Sequence, residues 1–390
     1  MEPLNDQSPL ATALAGLPRV VDLLAARAEE HDRDATFPYQ GIEAVHEAGL
    51  LTLTVGRHYG GPGGSLTDTL RVLAELGRGD ASVALVAAGT LLLHAEQART
   101  GRWPAAGYRR LLAESRRGPA LVGALGPDPA TDQPTVARWD GGGWLLTGRK
   151  TGCTGADALA WMLVRARTDE PRPRTGAFLV RGDSPGVEVD PVWDQLGLRA
   201  SAGHDVLLSG VRVPAEAAFD LRAEPDAPAD ELAADNTVDG GLDDGLTAAW
   251  RELAPAAVQL GVGRAARDWL VRFLARRRPA GAEHPGEGYR AALGEVESAL
   301  IGAEELLAGV AARIDAGGSE AVGRAGVVGL LVSRSVVEAV QRAVALAGSA
   351  GLSRRHPLER HLRDVLSGRP HGPAETAVLA AAGRAALVRG

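Results

Sequence analysis

Cysteine is almost absent from this 390-residue chain: Cys153 stands alone. A single thiol excludes a disulfide framework and any cysteine-based zinc site. Lysine is equally scarce, because all but one of the 42 basic residues are arginine and Lys150 is the exception. Together with the 50 glycines, that bias most simply reflects a GC-rich genome. The chain also lacks a basic excess. Its formal net charge of −7 excludes the electrostatic footprint of a nucleic-acid binder. The longest uncharged apolar run, Val83 to Leu93, falls short of the roughly 20 residues a membrane span needs. The opening Met1-Glu-Pro-Leu-Asn-Asp6 has no basic stretch followed by an apolar one, so no signal peptide is expected. These absences set the expectation of a cytoplasmic protein with neither nucleic acid nor membrane as a partner.

What is present is ordinary for a globular chain, with 45% apolar and 23% charged residues, and wholesale disorder is excluded. At about 150 residues per domain, the length allows two or three structural units. Residues 1–118 show helical spacing, as in Ile42, Val45, Leu50 and Leu70, Leu73, Leu76, interrupted by the glycine-rich loop Tyr59-Gly-Gly-Pro-Gly-Gly-Ser65. Ser65 or Thr67 is the candidate N-cap of the helix that follows. Residues 119–219 change period. Short β-prone runs such as Ala160-Trp-Met-Leu-Val-Arg165 and Ala177-Phe-Leu-Val180 alternate with turn clusters, which predicts an antiparallel barrel or sandwich. Residues 220–244 belong to an acidic stretch, ten carboxylates between Glu216 and Asp244, and are expected to be a solvated loop. Residues 245–390 are helical again, with Val328, Val332, Val336, Val340 and Val344 tracing one face, and predict a four-helix bundle. The expected class is therefore α+β: an N-terminal helical domain, a central β domain and a C-terminal bundle.

Several motifs mimic chemistry that their context denies. Gly182-Asp-Ser-Pro-Gly186 matches a nucleophile elbow, but Pro185 and the strand-like Val187-Glu-Val189 make it a β-turn. Gly261-Val-Gly263 resembles a dinucleotide fingerprint, yet a helical stretch precedes it where a strand is required, so its small residues are expected to serve helix packing. His356, His361 and His371 lack metal-ligand spacing, and no metal site is expected.

Four further signatures carry a resemblance. They are Glu47-Ala-Gly-Leu-Leu51 with Tyr59-Gly-Gly-Pro-Gly63 and Glu75-Leu-Gly-Arg-Gly-Asp-Ala-Ser82; Gly148-Arg-Lys150 with Cys153-Thr-Gly155; Trp193-Asp-Gln-Leu-Gly-Leu-Arg199 with Val211-Arg-Val-Pro214; and Leu358-Glu-Arg360 with Arg363-Asp364. In this order they span nearly the whole chain, which resembles the acyl-CoA dehydrogenase superfamily. The resemblance implies a flavin, FAD in most members, held between the β domain and the bundle within a homotetramer or homodimer. It places Leu125 and Gly126 at the flavin edge, with Cys153, Thr154 and Gly155 beside it. It assigns a pyrophosphate-binding arginine to Arg278, with the position free to slip among Arg276 to Arg278. Gly348 and Gly351 take the glycine-rich turn near the adenine end, while Arg360, Arg363, Asp364 and Lys150 are expected to be structural.

The family's usual glutamate base is missing after Arg363-Asp364, where the chain reads Val-Leu-Ser-Gly-Arg-Pro-His-Gly-Pro373. Two enzymes fit the resemblance. In the first, Glu252 is the base of an acyl-CoA dehydrogenase, which takes the α-proton of an acyl thioester while hydride passes to flavin N5. That is the favoured expectation, with an acyl-CoA substrate and an electron-transfer flavoprotein as partner. In the second, His371 serves a two-component flavin-dependent monooxygenase that uses reduced flavin, FMN included, from a flavin reductase, with His94 as a second pocket group. An imidazole titrating near neutrality suits such proton handling. A non-catalytic member of the family is the third alternative.

Overall fold

The computed structural model describes residues 8–130, 133–223, 245–276, 286–372 and 374–389. Arg278 and residues 224–244 of the acidic stretch lie outside the described residues. The first layer is helical: α1 (Pro9–Asp34), α2 (Tyr39–Glu47), α3 (Leu66–Gly79), α4 (Ala81–Thr100) and α5 (Ala105–Glu114). Ser65 caps α3 in a reciprocal capping box with Asp68, satisfying two backbone donors at the helix start. The Asp80 carboxylate accepts hydrogen bonds from the Ser82 and Val83 amides and so starts α4 immediately after α3 ends. By length and composition α1 and α4 could each cross a membrane, but 72% of the apolar window of α4 is buried inside the fold. That helix is the shared floor of all three layers.

The second layer is one eight-stranded sheet: β1 (Leu121–Ala124), β2 (Val136–Trp139), β3 (Gly143–Cys153), β4 (Leu159–Thr168), β5 (Arg174–Arg181), β6 (Val187–Asp190), β7 (His204–Pro214) and β8 (Ala218–Ala223). Its order is β6-β7-β3-β2-β4-β5-β8, with β1 also on β4. The pairings of β1 and β2 with β4 are parallel and the rest antiparallel. Parallel neighbours need a crossover, and the β2–β3 hairpin supplies it for β1. Gly182 to Gly186 forms the turn between β5 and β6, as its proline requires. β8 continues to Ala223, into residues that their carboxylates and prolines predict as loop, because Phe219 and Arg222 pair with Ala177 and Thr175 of β5.

The third layer comprises α6 (Gly245–Arg276), α7 (Glu287–Asp315), the single-turn α8 (Ser319–Val322), α9 (Ala325–Ala347), α10 (Leu358–Ser367) and α11 (Glu375–Arg389). Helices α6, α7, α9 and α10 pack on one another as the bundle. Its α6 also lies directly on α3. A Cβ at Gly261 would come within 1.9 Å of the Ala74 carbonyl oxygen, so glycine is what lets these backbones touch. The Asp315 carboxylate at the end of α7 accepts from the Leu66 and Thr67 amides, at 3.0 and 2.9 Å, and ties the bundle to the start of α3. One apolar core runs through all three layers, with a smaller aromatic cluster around Trp103, Tyr108 and Trp161.

Candidate active site

The end of β3 and the segment after β1 converge. Leu125 donates to the Leu163 carbonyl at 2.9 Å, which extends β1 along β4 and carries Gly126 against Thr151. A Cβ at Gly126 would lie 1.8 Å from the Thr151 carbonyl oxygen, so only glycine permits this approach. Cys153 is buried beside it. Burial pushes its thiol up to about 11, so it is neutral at physiological pH and is no nucleophile. Thr154 is half-buried, and Gly155 turns the chain with φ +74°. The Gly155 and Ala156 amides donate to the Ser201 and Ala202 carbonyls at 2.8 and 3.1 Å. The structure thus brings Leu125, Gly126, Cys153, Thr154 and Gly155 to one place at the sheet's end.

Lys150 anchors that place from behind. Its ammonium is buried and lies 2.8 Å from the Asp128 carboxylate, which the Thr135 hydroxyl also approaches. Burial holds the lysine below its ordinary range, opposed by Asp128. A buried charge needs its partner, so Lys150 is the structural residue its position in the sequence implies.

A Cβ built on Gly155 would be 3.3 Å from Val86 of α4, and the next residue, Leu85, lines a narrow crevice. The crevice lies between α4, α6 and α10, walled by Leu85, Leu198, Pro255, Val258 and Val262. His371, in the single turn after α10, and Gln259 of α6 open into it, with Asp364 at its base. Burial holds the His371 imidazole below its usual range.

Glu252 is not in this crevice. It lies where α6 meets the first turn of α9, and a Cβ at Gly326 would be 3.1 Å from its Oε1. Burial alone raises its pKa, but helix phase directs it into the bundle. His94 is also elsewhere: it is fully buried in the aromatic cluster, its Nδ1 3.0 Å from the Tyr108 hydroxyl, and burial pushes it down to about 4. Gly348, with φ +60°, and buried Gly351 form the turn after α9.

An ionic lattice fixes the crevice base. Arg363 holds Asp32 of α1 through two bonds of 2.8 and 2.6 Å and Glu359 through bonds of 2.8 and 3.0 Å. Asp364 accepts from the Leu198 amide at 2.8 Å, which clamps the loop before β7 onto α10. Burial pushes Asp364 up to about 7 against the pull of Arg360. His361, buried next to Arg360 and Arg363, is pushed down to about 3. These residues therefore orient helices, as their motif implies.

Three family models match the chain in order: acyl-CoA dehydrogenase, N-terminal domain, at residues 20–101; middle domain at 123–211; and C-terminal domain at 253–374. The amino sugar nitrososynthase RubN8 of Streptomyces rubradiris is 30% identical over 394 residues, 94% of this chain and 88% of its own. The chain belongs to the acyl-CoA dehydrogenase family. Another member, the putative acyl-CoA dehydrogenase YdbM of Bacillus subtilis (strain 168), is 28% identical over 373 residues and 93% of each chain. Among solved structures, KijD3 in complex with FMN and dTDP-3-amino-2,3,6-trideoxy-4-keto-3-methyl-D-glucose matches with a TM-score of 0.82 at 28% identity. That match covers 98% of this chain and 94% of the other.

As a member of this family the protein is a flavin-dependent oxidoreductase. Its residues fit a flavin. The ring is flat and apolar on its faces with a polar edge; backbone groups gathered at Gly126 and Gly155 suit that edge, and the apolar side chain of Val86 on α4 lies against Gly155. The feature that motif reading missed is Gln259, a buried amide in the apolar run Pro255-Ala-Ala-Val-Gln-Leu260. A lone polar residue in such a run is the signal that could have found it.

Proposed function

We propose that this flavoprotein is a monooxygenase that uses reduced FMN delivered by a separate reductase, rather than an acyl-CoA dehydrogenase. The observation that carries this reading is that, among the described residues, His371 and no glutamate lines the crevice, while Glu252 faces α9. The likeness to RubN8 and to KijD3, whose complex contains FMN and an amino sugar nucleotide, supports it.

Flavin in its reduced form supplies two electrons with which one oxygen atom of O2 enters the substrate and the other leaves as water. The chain's own residues do the rest. Leu125, Gly126, Thr154 and Gly155 would hold the ring edge through their backbone and hydroxyl groups. Leu85, Leu198 and Val262 exclude water. His371, held neutral near pH 7 by burial, takes a proton from the substrate's N–H or O–H on a ring nitrogen and returns it to the departing oxygen.

The test supplies the FMN-loaded protein with a flavin reductase, NADH and oxygen, and measures substrate hydroxylation across amines and apolar heterocycles. Hydroxylated product supports the reading. Anaerobic bleaching of the bound flavin by an acyl-CoA panel, with no hydroxylation anywhere, would overturn it in favour of dehydrogenation.

A further inference from the structure

Gln259 is only 4% exposed, and its Oε1 is buried without a hydrogen-bond partner. Its neighbours on the crevice side of α6 are Pro255, Val258 and Val262, all apolar. A buried acceptor left unpaired is a standing cost to the folded state, whereas leucine would fill nearly the same volume without it. The opposite wall makes room for the amide: a Cβ at Gly368 would come within 2.7 Å of Gln259 Nε2. His371, three residues beyond Gly368, opens into the same space. An unpaired acceptor beside an imidazole, in a crevice with apolar walls and Asp364 at its base, where that carboxylate already accepts from the Leu198 amide, is the arrangement of a recognition site.

We propose that Gln259 is the residue that recognises substrate in this crevice, its Oε1 accepting a hydrogen bond from an N–H or O–H on an otherwise apolar substrate. This rests on the monooxygenase reading for the occupant, and it names the substrate class. A site built around a hydrogen bond discriminates strongly against the analogue that lacks the donor, because the protein's acceptor then stays unpaired. An amine or hydroxyl is admitted and a plain hydrocarbon end is refused.

Indole and indene test this, since they are nearly the same shape and only indole carries the N–H. Their binding to the FMN-loaded protein is measured by titration calorimetry. The expected result is that indole binds about 10-fold or more tighter than indene, and that Gln259→Leu abolishes the difference. The same substitution raises the thermal unfolding midpoint of the ligand-free protein, because the orphaned acceptor is gone, a change that a purely structural glutamine would not give. Gly368→Ala is a second arm: its backbone, at φ −74°, accepts alanine, and the added methyl displaces the amide and lowers the indole preference.

Equal affinity of the wild-type protein for the two probes, binding of neither, or a preference that survives Gln259→Leu overturns the proposal. Failure of the underlying reading looks different. If the preference is present but reduced FMN and oxygen yield no hydroxylated product, the role of Gln259 stands and the monooxygenase reading falls.

Discussion

His371 and Glu252 show how burial acts on single groups. It lowers the imidazole, whose charged form is the protonated one, and raises the carboxylate, whose charged form is the deprotonated one. Burial thus favours the neutral form of each, and position separates them: His371 lines the crevice and Glu252 does not. His371→Ala is expected to lower hydroxylation by about 100-fold or more with FMN binding retained, as measured by stopped-flow product formation and flavin fluorescence. Glu252→Gln is expected to leave that rate within about twofold, since the residue serves the α6–α9 contact; a loss comparable to that of His371→Ala would place Glu252 in the chemistry instead. Lys150→Met leaves Asp128 without its buried cation and is expected to cost about 3 kcal/mol in urea-unfolding free energy.

Among the elements, α10 and the turn after it matter most to the site. Arg363 joins α10 to Asp32 of α1, and Asp364 joins it to the Leu198 amide. Both links cross layers, so their loss should be felt at a distance. Arg363→Met strands two carboxylates and is expected to destabilise the fold by about 3 kcal/mol and to weaken FMN binding as α10 loosens, read by denaturant unfolding and flavin titration. The motif Leu358 to Asp364 was legible in the sequence because its residue types match a known pattern. So were the strands β4, β5 and β6, whose apolar runs and turn residues agree. The reach of β8 to Ala223 was not, because its pairing with β5 overrides a composition that favours loop.

For the whole molecule, two buried histidines make part of the stability sensitive to acid. His94 is pushed down to about 4 and His361 to about 3, while in the unfolded chain each takes a proton near pH 6.5. The folded state therefore refuses protons that the unfolded state accepts. The histidines' contribution to stability is fully present above about pH 6.5 and is lost as the pH drops, by about 3 kcal/mol per histidine at pH 4. Asp364, whose carboxyl burial raises to about 7, acts in the opposite sense and offsets part of that loss. Urea midpoints at pH 7.5 and 4.5 check this: acidification should cost His361→Leu less stability than it costs the wild-type protein.

Much of this protein follows from sequence alone. Periodicity separates helical layers from a sheet, turn residues place the strands, and matched motifs identify a flavoprotein of the acyl-CoA dehydrogenase family. The scarcity of cysteine and lysine, informative at first only for what it excludes, ends with each residue in the core: Cys153 as a neutral thiol at the sheet's end, and Lys150 as the buried partner of Asp128. Which acidic or basic group meets the crevice was settled only by tertiary structure. Glu252 and Gln259 lie seven residues apart on one helix, close to two full turns, and sequence spacing cannot say which neighbour each will face. The packing of α6 against α9 at one end and α10 at the other decides it, setting half-buried Glu252 against α9 and leaving Gln259 with His371 in the crevice.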